Sequence, residues 1–348
     1  MRRLPVFLVV DVSESMAGEN LRSLQEGMER LIKTLRTDPY ALETAYLSVI
    51  AFAGRAKTLT PLVELVAFYS PRLPLGSGTS MGAALEHLMG EIDRNVKRST
   101  PEQKGDFKPL VFLMTDGKST DDPTAVLTRW KNHYASRVNL VAIGIGPYAS
   151  LEALSTITPN VLRIESATEQ DFKKFIDWIS ASVSTQSRSI GSGEPAAVSL
   201  AKFDDSVMKK IETIAQATAV DEDFVVIQGR CQTTKLPYLL KYERAKQALA
   251  TRDFRMDAVH YNLVGVFAAE RDFDELSDPR ASARTISTES LIGSPGCPHC
   301  GAAYAFAACS CGQIFCVQGE GQATCPGCQK QLNMSMAEGD FDVTRSRG

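Results

Sequence analysis

The chain has 348 residues, 44% of them hydrophobic and 23% charged, enough for about two domains with buried cores, so a single small scaffold is excluded. Its 38 basic and 41 acidic side chains leave a net charge of −3, which excludes a global electrostatic pull towards nucleic acid. No apolar run approaches the roughly 20 residues needed to cross a bilayer.

The short run Leu4 to Val10 follows Arg2 and Arg3 as a signal peptide might, but Asp11 cuts it off. It reads as a buried first strand, and the expected location is cytoplasmic. Strands are expected at Pro5 to Val12, Ala45 to Phe52, Pro109 to Met114, Val138 to Ile145 and Val161 to Ile164, all nearly continuous in hydrophobicity. Between them, Leu21, Leu24, Met28, Leu31, Ile32 and Leu35 recur at helical spacing, as do Met81, Leu85, Leu88, Met89 and Ile92. Phe172, Phe175, Ile176, Ile179 and Val183 form a third stripe, and all three read as core packing rather than cofactor contacts. The alternation predicts an α/β domain over 1–185, a doubly wound, mostly parallel sheet.

Residues 186–199 are polar and read as a linker. A smaller α+β unit is expected over 200–334, with a helix on Val207, Met208, Ile211 and Ile214 and strands at Phe224 to Ile227, Leu239 to Tyr242 and Tyr261 to Phe267. Residues 335–348 have too little apolar content to fold alone and are expected to be a disordered tail.

Three polar pieces stand where a strand hands over to the next element. Asp11-Val12-Ser13-Glu14-Ser15 ends the first strand, Gly76-Ser77-Gly78-Thr79-Ser80 opens the second helix, and Thr115-Asp116-Gly117 ends the strand from 109. Singly, each has a plain explanation: Ser13, Ser15 or Thr79 as a helix N-cap, and Asp116-Gly117 as a turn. Together they fall on the edge where open α/β sheets place ligands. If the strands leading to Asp11 and Asp116 are neighbours, those carboxylates sit about 5 Å apart laterally. Two carboxylates and three hydroxyls, with no His or Cys nearby, make a hard oxygen site suited to Mg²⁺ or Mn²⁺, with water or a partner's carboxylate completing the shell.

Asp11-x-Ser13-x-Ser15, Thr79 and Asp116 resemble the metal-ion-dependent adhesion site of von Willebrand factor A domains. The resemblance implies that the serines and threonine touch the metal directly. It also implies that the aspartates act through water and that a partner's acidic side chain completes the coordination.

Other motifs carry less. Gly117-Lys118-Ser119 ends like a phosphate loop, but Phe112 stands where its first glycine belongs. Gly144-Ile145-Gly146-Pro147-Tyr148-Ala149, with Glu165 beyond, matches a dinucleotide pattern, but Pro147 removes a backbone donor. His87, His133 and His260 have no nucleophile patterned around them, and Asp121-Asp122 and Asp204-Asp205 read as helix-start acids.

Seven of the eight cysteines lie between 297 and 328, with Cys231 apart. Cys297-x-x-Cys300 and Cys325-x-x-Cys328 are two knuckles whose four thiolates predict one tetrahedral Zn²⁺ site in a zinc-ribbon-like module. Disulfides are the rival reading, disfavoured in a cytosolic chain. With Cys309, Cys311, Cys316 and His299 the soft donors number eight, nominally enough for two ions, but His299 stands inside the first knuckle, so one site is expected, with Cys309 or Cys311 as an alternative to a knuckle cysteine. Glu320 is the sole charged residue between 297 and 328, so the module is a poor nucleic-acid reader.

With Gly229-Arg230-Cys231 and Pro237-Tyr238-Leu239-Leu240-Lys241-Tyr242 in the middle, the whole chain resembles TerY-type proteins of bacterial tellurite-resistance and stress clusters. These join a von Willebrand A domain to a cysteine-rich metal-binding domain. The resemblance implies a signalling scaffold encoded beside a serine/threonine kinase and a PP2C-like phosphatase. The expected function is a non-enzymatic adaptor that binds a partner's acidic group through Mg²⁺. The alternatives are a metal-assisted hydrolase, with Glu14 as the nearest base although alternation points it away, and a nucleic-acid-processing component using the zinc module.

Overall fold

Strand β1 (Leu4–Asp11) is buried along its whole length, as an unbroken apolar strand must be when helices cover both faces. The computed structural model describes residues 2–116, 119–146, 149–164, 169–191, 208–210, 223–245, 250–251, 254–255, 259–278, 284–335 and 339–346. The chain divides into two units, one of residues 1–12, 19–73 and 79–219, the other of 13–18, 74–78 and 220–348.

The first unit is a seven-stranded sheet. After β1 come β2 (Ala45–Phe52), β3 (Ala56–Glu64), β4 (Leu110–Thr115), β5 (Asn139–Ile145), β6 (Val161–Ile164) and β7 (Met208–Lys210), in the spatial order β3-β2-β1-β4-β5-β6-β7. β2, β1, β4, β5 and β6 run parallel, while β3 and β7 are antiparallel edges. The five expected strands are present to within a residue. β3 is not among the sequence expectations, because it is a half-exposed edge strand containing Pro61, which is tolerated there and sits at a shift in register. The sheet reverses order between β1 and β4, the switch point of a doubly wound fold.

The helices are α1 (Glu19–Leu35), α2 (Pro39–Thr44), α3 (Met81–Asn95), α4 (Thr124–His133), α5 (Leu151–Ser155) and α6 (Glu169–Gly191). On one face of the sheet, Phe7, Val9, Ile50, Phe52, Val111 and Leu113 alternate along three strands and pack with Met81, Leu85, Leu88, Met89 and Ile92 of α3. On the other, Phe112 meets Trp178 of α6 edge-on, ring centroids 6.1 Å apart. A Cβ at Gly27 would fall 2.8 Å from Ile176 Cγ1, so the glycine sets how closely α1 and α6 approach. α6 runs to Gly191, so the expected linker begins as helix; the remaining linker residues lie outside the described set.

The second unit is mostly strand: β8 (Phe224–Arg230), β9 (Pro237–Arg244), the pair β10 (Ala250–Thr251) and β11 (Phe254–Arg255), and β12 (Tyr261–Ala268). A short helix, α7 (Phe273–Leu276), precedes β13 (Thr285–Ser287), β14 (Leu291–Ile292), β15 (Tyr304–Ala308) and β16 (Ile314–Val317). β17 (Gly321–Thr324), β18 (Gln331–Met334) and β19 (Asp342–Thr344) complete it. The main sheet has the order β14-β12-β9-β8-β16-β15. Its centre is pinned by Tyr238, which lies over Gly229, its partner across β8 and β9, where a Cβ would come within 2.3 Å of the ring. The Tyr238 hydroxyl donates to Ala305 O at 2.7 Å.

Two expectations are corrected here. Met208 lies in strand β7, not in a helix, while Val207, Ile211 and Ile214 lie outside the described residues. The tail is not disordered at 342–344: β19 pairs antiparallel with β13, Val343 is buried, and Ser346 N donates to Val226 O at 2.8 Å. Backbone pairing and one anchoring side chain achieve what the tail's polar composition concealed.

Phe112→Ala should cost about 3–5 kcal/mol, because it empties the contact with Trp178 on the central strand; urea unfolding followed by tryptophan fluorescence measures this. Val343→Asp should expose 341–346 to limited proteolysis, a change to which a disordered tail would be indifferent.

Candidate metal centres

In the first unit, β1 and β4 are parallel neighbours, with Val10 opposite Met114. Asp11 and Thr115 therefore end adjacent strands side by side, and the Thr115 hydroxyl donates to Asp11 Oδ2. Asp116 follows at once, and both aspartates are buried. Thr79 lies just before α3 but does not cap it; Ser80 does, its Oγ accepting from Ala83 N at 3.1 Å. Thr79 is instead tied through its backbone to the chain that leaves Asp116. Its N–H donates to Thr120 Oγ1 at 2.9 Å, and its carbonyl accepts from Thr120 N at 2.7 Å. The Thr79 hydroxyl oxygen is buried and has no hydrogen-bond partner among the described residues. Such an orphan is costly unless something else engages it, and a cation would.

In the second unit, Ser13 and Ser15 are buried, with hydroxyl oxygens 3.0 Å apart. Ser13 precedes a short 3₁₀ turn over Glu14–Met16 without capping it. The plain N-cap explanation thus fails for Ser13 as well as Thr79.

In the second unit, Glu14 and Lys241 are buried charged residues outside the predicted metal ligands. Glu14 is fully buried, and its carboxylate accepts from Ser77 Oγ at 3.1 Å and Gly78 N at 2.5 Å, anchoring the residues that lead into Thr79. Lys241 is 5% exposed and donates to Ser15 O at 2.6 Å and Ala17 O at 3.0 Å, 4.7 Å from the centre of the Phe224 ring. A lysine inside the apolar run Pro237 to Tyr242 was the available signal, since a buried ammonium needs partners.

The cysteines form two groups, not one. Cys231, Cys297, Cys300 and Cys316 make the first, Cys309, Cys311, Cys325 and Cys328 the second, with all sulfurs of a group within 4.8 Å of one another. The single site expected from Cys297, Cys300, Cys325 and Cys328 is therefore split, one knuckle to each group. The two knuckles sit on different strand pairs, Cys297 and Cys300 before β15 and Cys325 and Cys328 in the turn from β17 to β18, so each draws two thiols from elsewhere. All eight thiols are free. Sulfur pairs stand 3.6 to 3.7 Å apart, close to the edge of about 3.8 Å that Zn–S bonds of 2.3 Å give a tetrahedron.

Cys231 heads a knuckle in disguise. Gly301 N donates to Cys297 O and Gln329 N to Cys325 O, and Lys235 N donates likewise to Cys231 O, each at 3.0 Å. All three turns close on a left-handed residue, at φ of 72°, 62° and 63° respectively. Thr234 occupies the position of the second cysteine, and Cys316 from β16 supplies the missing thiol.

Residues 6–178 match the von Willebrand factor type A domain, and residues 221–348 match the TerY-C metal binding domain. The chain joins a von Willebrand factor type A domain to a TerY-C metal binding domain. Its type A region is 25% identical over 159 residues to inter-alpha-trypsin inhibitor heavy chain H1 of Bos taurus, a match taking in 44% of this chain but only 17% of that relative's length. Among solved structures, a von Willebrand factor type A protein from Catenulispora acidiphila is similar at 15% identity and a TM-score of 0.43, covering 80% of this chain and 69% of that one. Proximal thread matrix protein 1 from the mussel byssus, solved with zinc in its MIDAS motif, aligns at 22% identity and a TM-score of 0.37, covering 52% of this chain and 48% of that one.

In the TerY-C domain, burial alone would raise the Cys231 thiol, but hydrogen bonds from Thr234 and the Thr233 backbone bring it down to about 6. The Cys311 backbone N–H is the main cause that lowers Cys309 to about 7. His299 is turned away from its knuckle, its Nε2 2.8 Å from Pro237 O. In the type A domain, His87 bonds Thr58 Oγ1 at 2.7 Å, and burial lowers its pKa. Gly117, Lys118, Pro147, Tyr148, Glu165, Asp204 and Asp205 lie outside the described residues. Among those described, no helix is long and apolar enough to cross a membrane.

Two clusters predict two equivalents of bound metal by elemental analysis, and Cys231→Ser should retain only one. A wild-type value of one would contradict the division seen here.

Proposed function

We propose that the chain is a metal-dependent adaptor that binds protein partners. Asp11, Ser13, Ser15, Thr79 and Asp116 hold a divalent cation, Mg²⁺ or Mn²⁺, and a partner's acidic side chain completes its shell. The donor set fits such an ion: hard oxygens only, with carboxylate charge to balance it. The observation that carries the reading is the buried hydroxyl of Thr79, unpartnered among the described residues and fixed by its backbone to the chain just beyond Asp116. When bound, the cation supplies a Lewis-acidic position for an incoming carboxylate. The two thiol clusters take Zn²⁺ as structural ions, each replacing part of a hydrophobic core in small strand pairs.

A cytoplasmic role in a bacterial tellurite-resistance or stress system, with a serine/threonine kinase and a PP2C-like phosphatase as partners, belongs to this proposal and rests on the family resemblance. The hydrolase alternative is weakened by Glu14, the base it would use, whose carboxylate is spent on Ser77 and Gly78. The nucleic-acid alternative is weakened by the single charge between 297 and 328.

The test is calorimetric Mg²⁺ and Mn²⁺ titration together with affinity capture of partners. Asp116→Ala should weaken cation binding by more than about tenfold, with the two equivalents of cluster metal retained. Capture should fall in parallel. Capture that survives both Mg²⁺ removal and Asp116→Ala would overturn the proposal.

A further inference from the structure

We infer that Asp121 is a positioning residue for the divalent cation, an inference resting on the assignment of that ion to Asp11, Ser13, Ser15, Thr79 and Asp116. Its carboxylate accepts four hydrogen bonds. Oδ1 takes Met81 N at 3.0 Å and Ser119 Oγ at 2.6 Å; Oδ2 takes Ser80 Oγ at 2.6 Å and Gly82 N at 3.0 Å. Met81 N and Gly82 N belong to the first turn of α3, where backbone N–H groups have no partner within the helix and the dipole favours an anion. Asp121 therefore fastens the start of α3 to the chain that follows Asp116.

The contact is close enough to constrain the sequence. A Cβ at Gly82 would lie 2.6 Å from Asp121 Oδ2, so only glycine leaves room for the carboxylate. With the two hydrogen bonds between the Thr79 backbone and Thr120, one to its hydroxyl and one from its N–H, residues 79–82 and 119–121 are held as one piece. Among the described residues the Thr79 hydroxyl has no hydrogen bond to orient it, so its backbone sets its place, and Asp121 holds the residues that follow that backbone. Asp122, beside it, is exposed and accepts only from Thr124 among the described residues, at the start of α4. Of the acid pair, Asp122 serves the helix that follows it, while Asp121 serves the helix that Thr79 precedes.

The full chain, loaded with its cluster metal, is titrated with Mn²⁺ by calorimetry and by water-proton relaxation, which counts waters on the bound ion. Asp121→Asn, which places an amide N–H₂ against the donors, should weaken Mn²⁺ by about tenfold or more and leave one extra water on the ion, as should Thr79→Ala. If Asp121 acts through Thr79, the double variant should be no more than about twofold weaker than Thr79→Ala alone. Asp122→Asn, with the same change of charge, should bind like wild type, which separates positioning from net charge. Should Asp121→Asn lose its native circular dichroism, Gly82→Ala, which only pushes on the carboxylate, faces the same criteria. Wild-type affinity in Asp121→Asn, or losses that multiply in the double variant, overturns the inference and leaves the cation site standing. A wild-type chain that binds no Mn²⁺ overturns both.

Discussion

Parallel neighbours in a sheet release their chains at the same edge, and β1 and β4 each do so with an aspartate at or just past the last residue. Strand spacing of about 5 Å sets these chain ends side by side, and both aspartates are buried, where a charge is unfavourable unless hydrogen bonds or a cation offset it. The Thr115 hydroxyl answers one oxygen of Asp11. The Thr79–Thr120 hydrogen bonds and the Asp121 clamp tie the start of α3 to the chain that leaves the same edge. The buried faces of the sheet fix the adjacency itself, since sliding either strand would carry apolar residues into water.

Much of this was legible in the residues, for reasons that differ by element. Central parallel strands are apolar at every position, so Val6 to Val10 and Leu110 to Met114 could hardly be anything else. Edge strand β3 escaped notice because half its side chains face solvent and Pro61 interrupts it. The expected oxygen donors stand out because hydroxyl and carboxylate types recur at two strand ends and one helix start. The anchors Glu14 and Asp121 could not, because a charged side chain looks the same in sequence whether it is solvated or buried with partners; Lys241 left a trace only as a charge inside the apolar run Pro237 to Tyr242. β19 was hidden in the same way: its stability comes from backbone pairing to β13 and a single buried valine, neither of which leaves a periodic trace.

The cysteines teach a sharper lesson. Spacing identifies a C-x₂-C knuckle but says nothing of which knuckles share an ion, since that depends on how the strands between them pair. β16 runs parallel to β8 through Ile314 and Gly229, which brings Cys316 to the turn headed by Cys231, far upstream in sequence. Local turn geometry was the recoverable part, for Cys231 and Lys235 reproduce the knuckle bond with a non-glycine residue in the left-handed region.

The order of the ligands along the chain has its own consequence. Cys309 and Cys311 of one cluster precede Cys316 of the other, so the two sets interleave as a cross-brace. Neither can be grafted alone onto another scaffold, and a protease nick between Cys311 and Cys316 would open both cages at once.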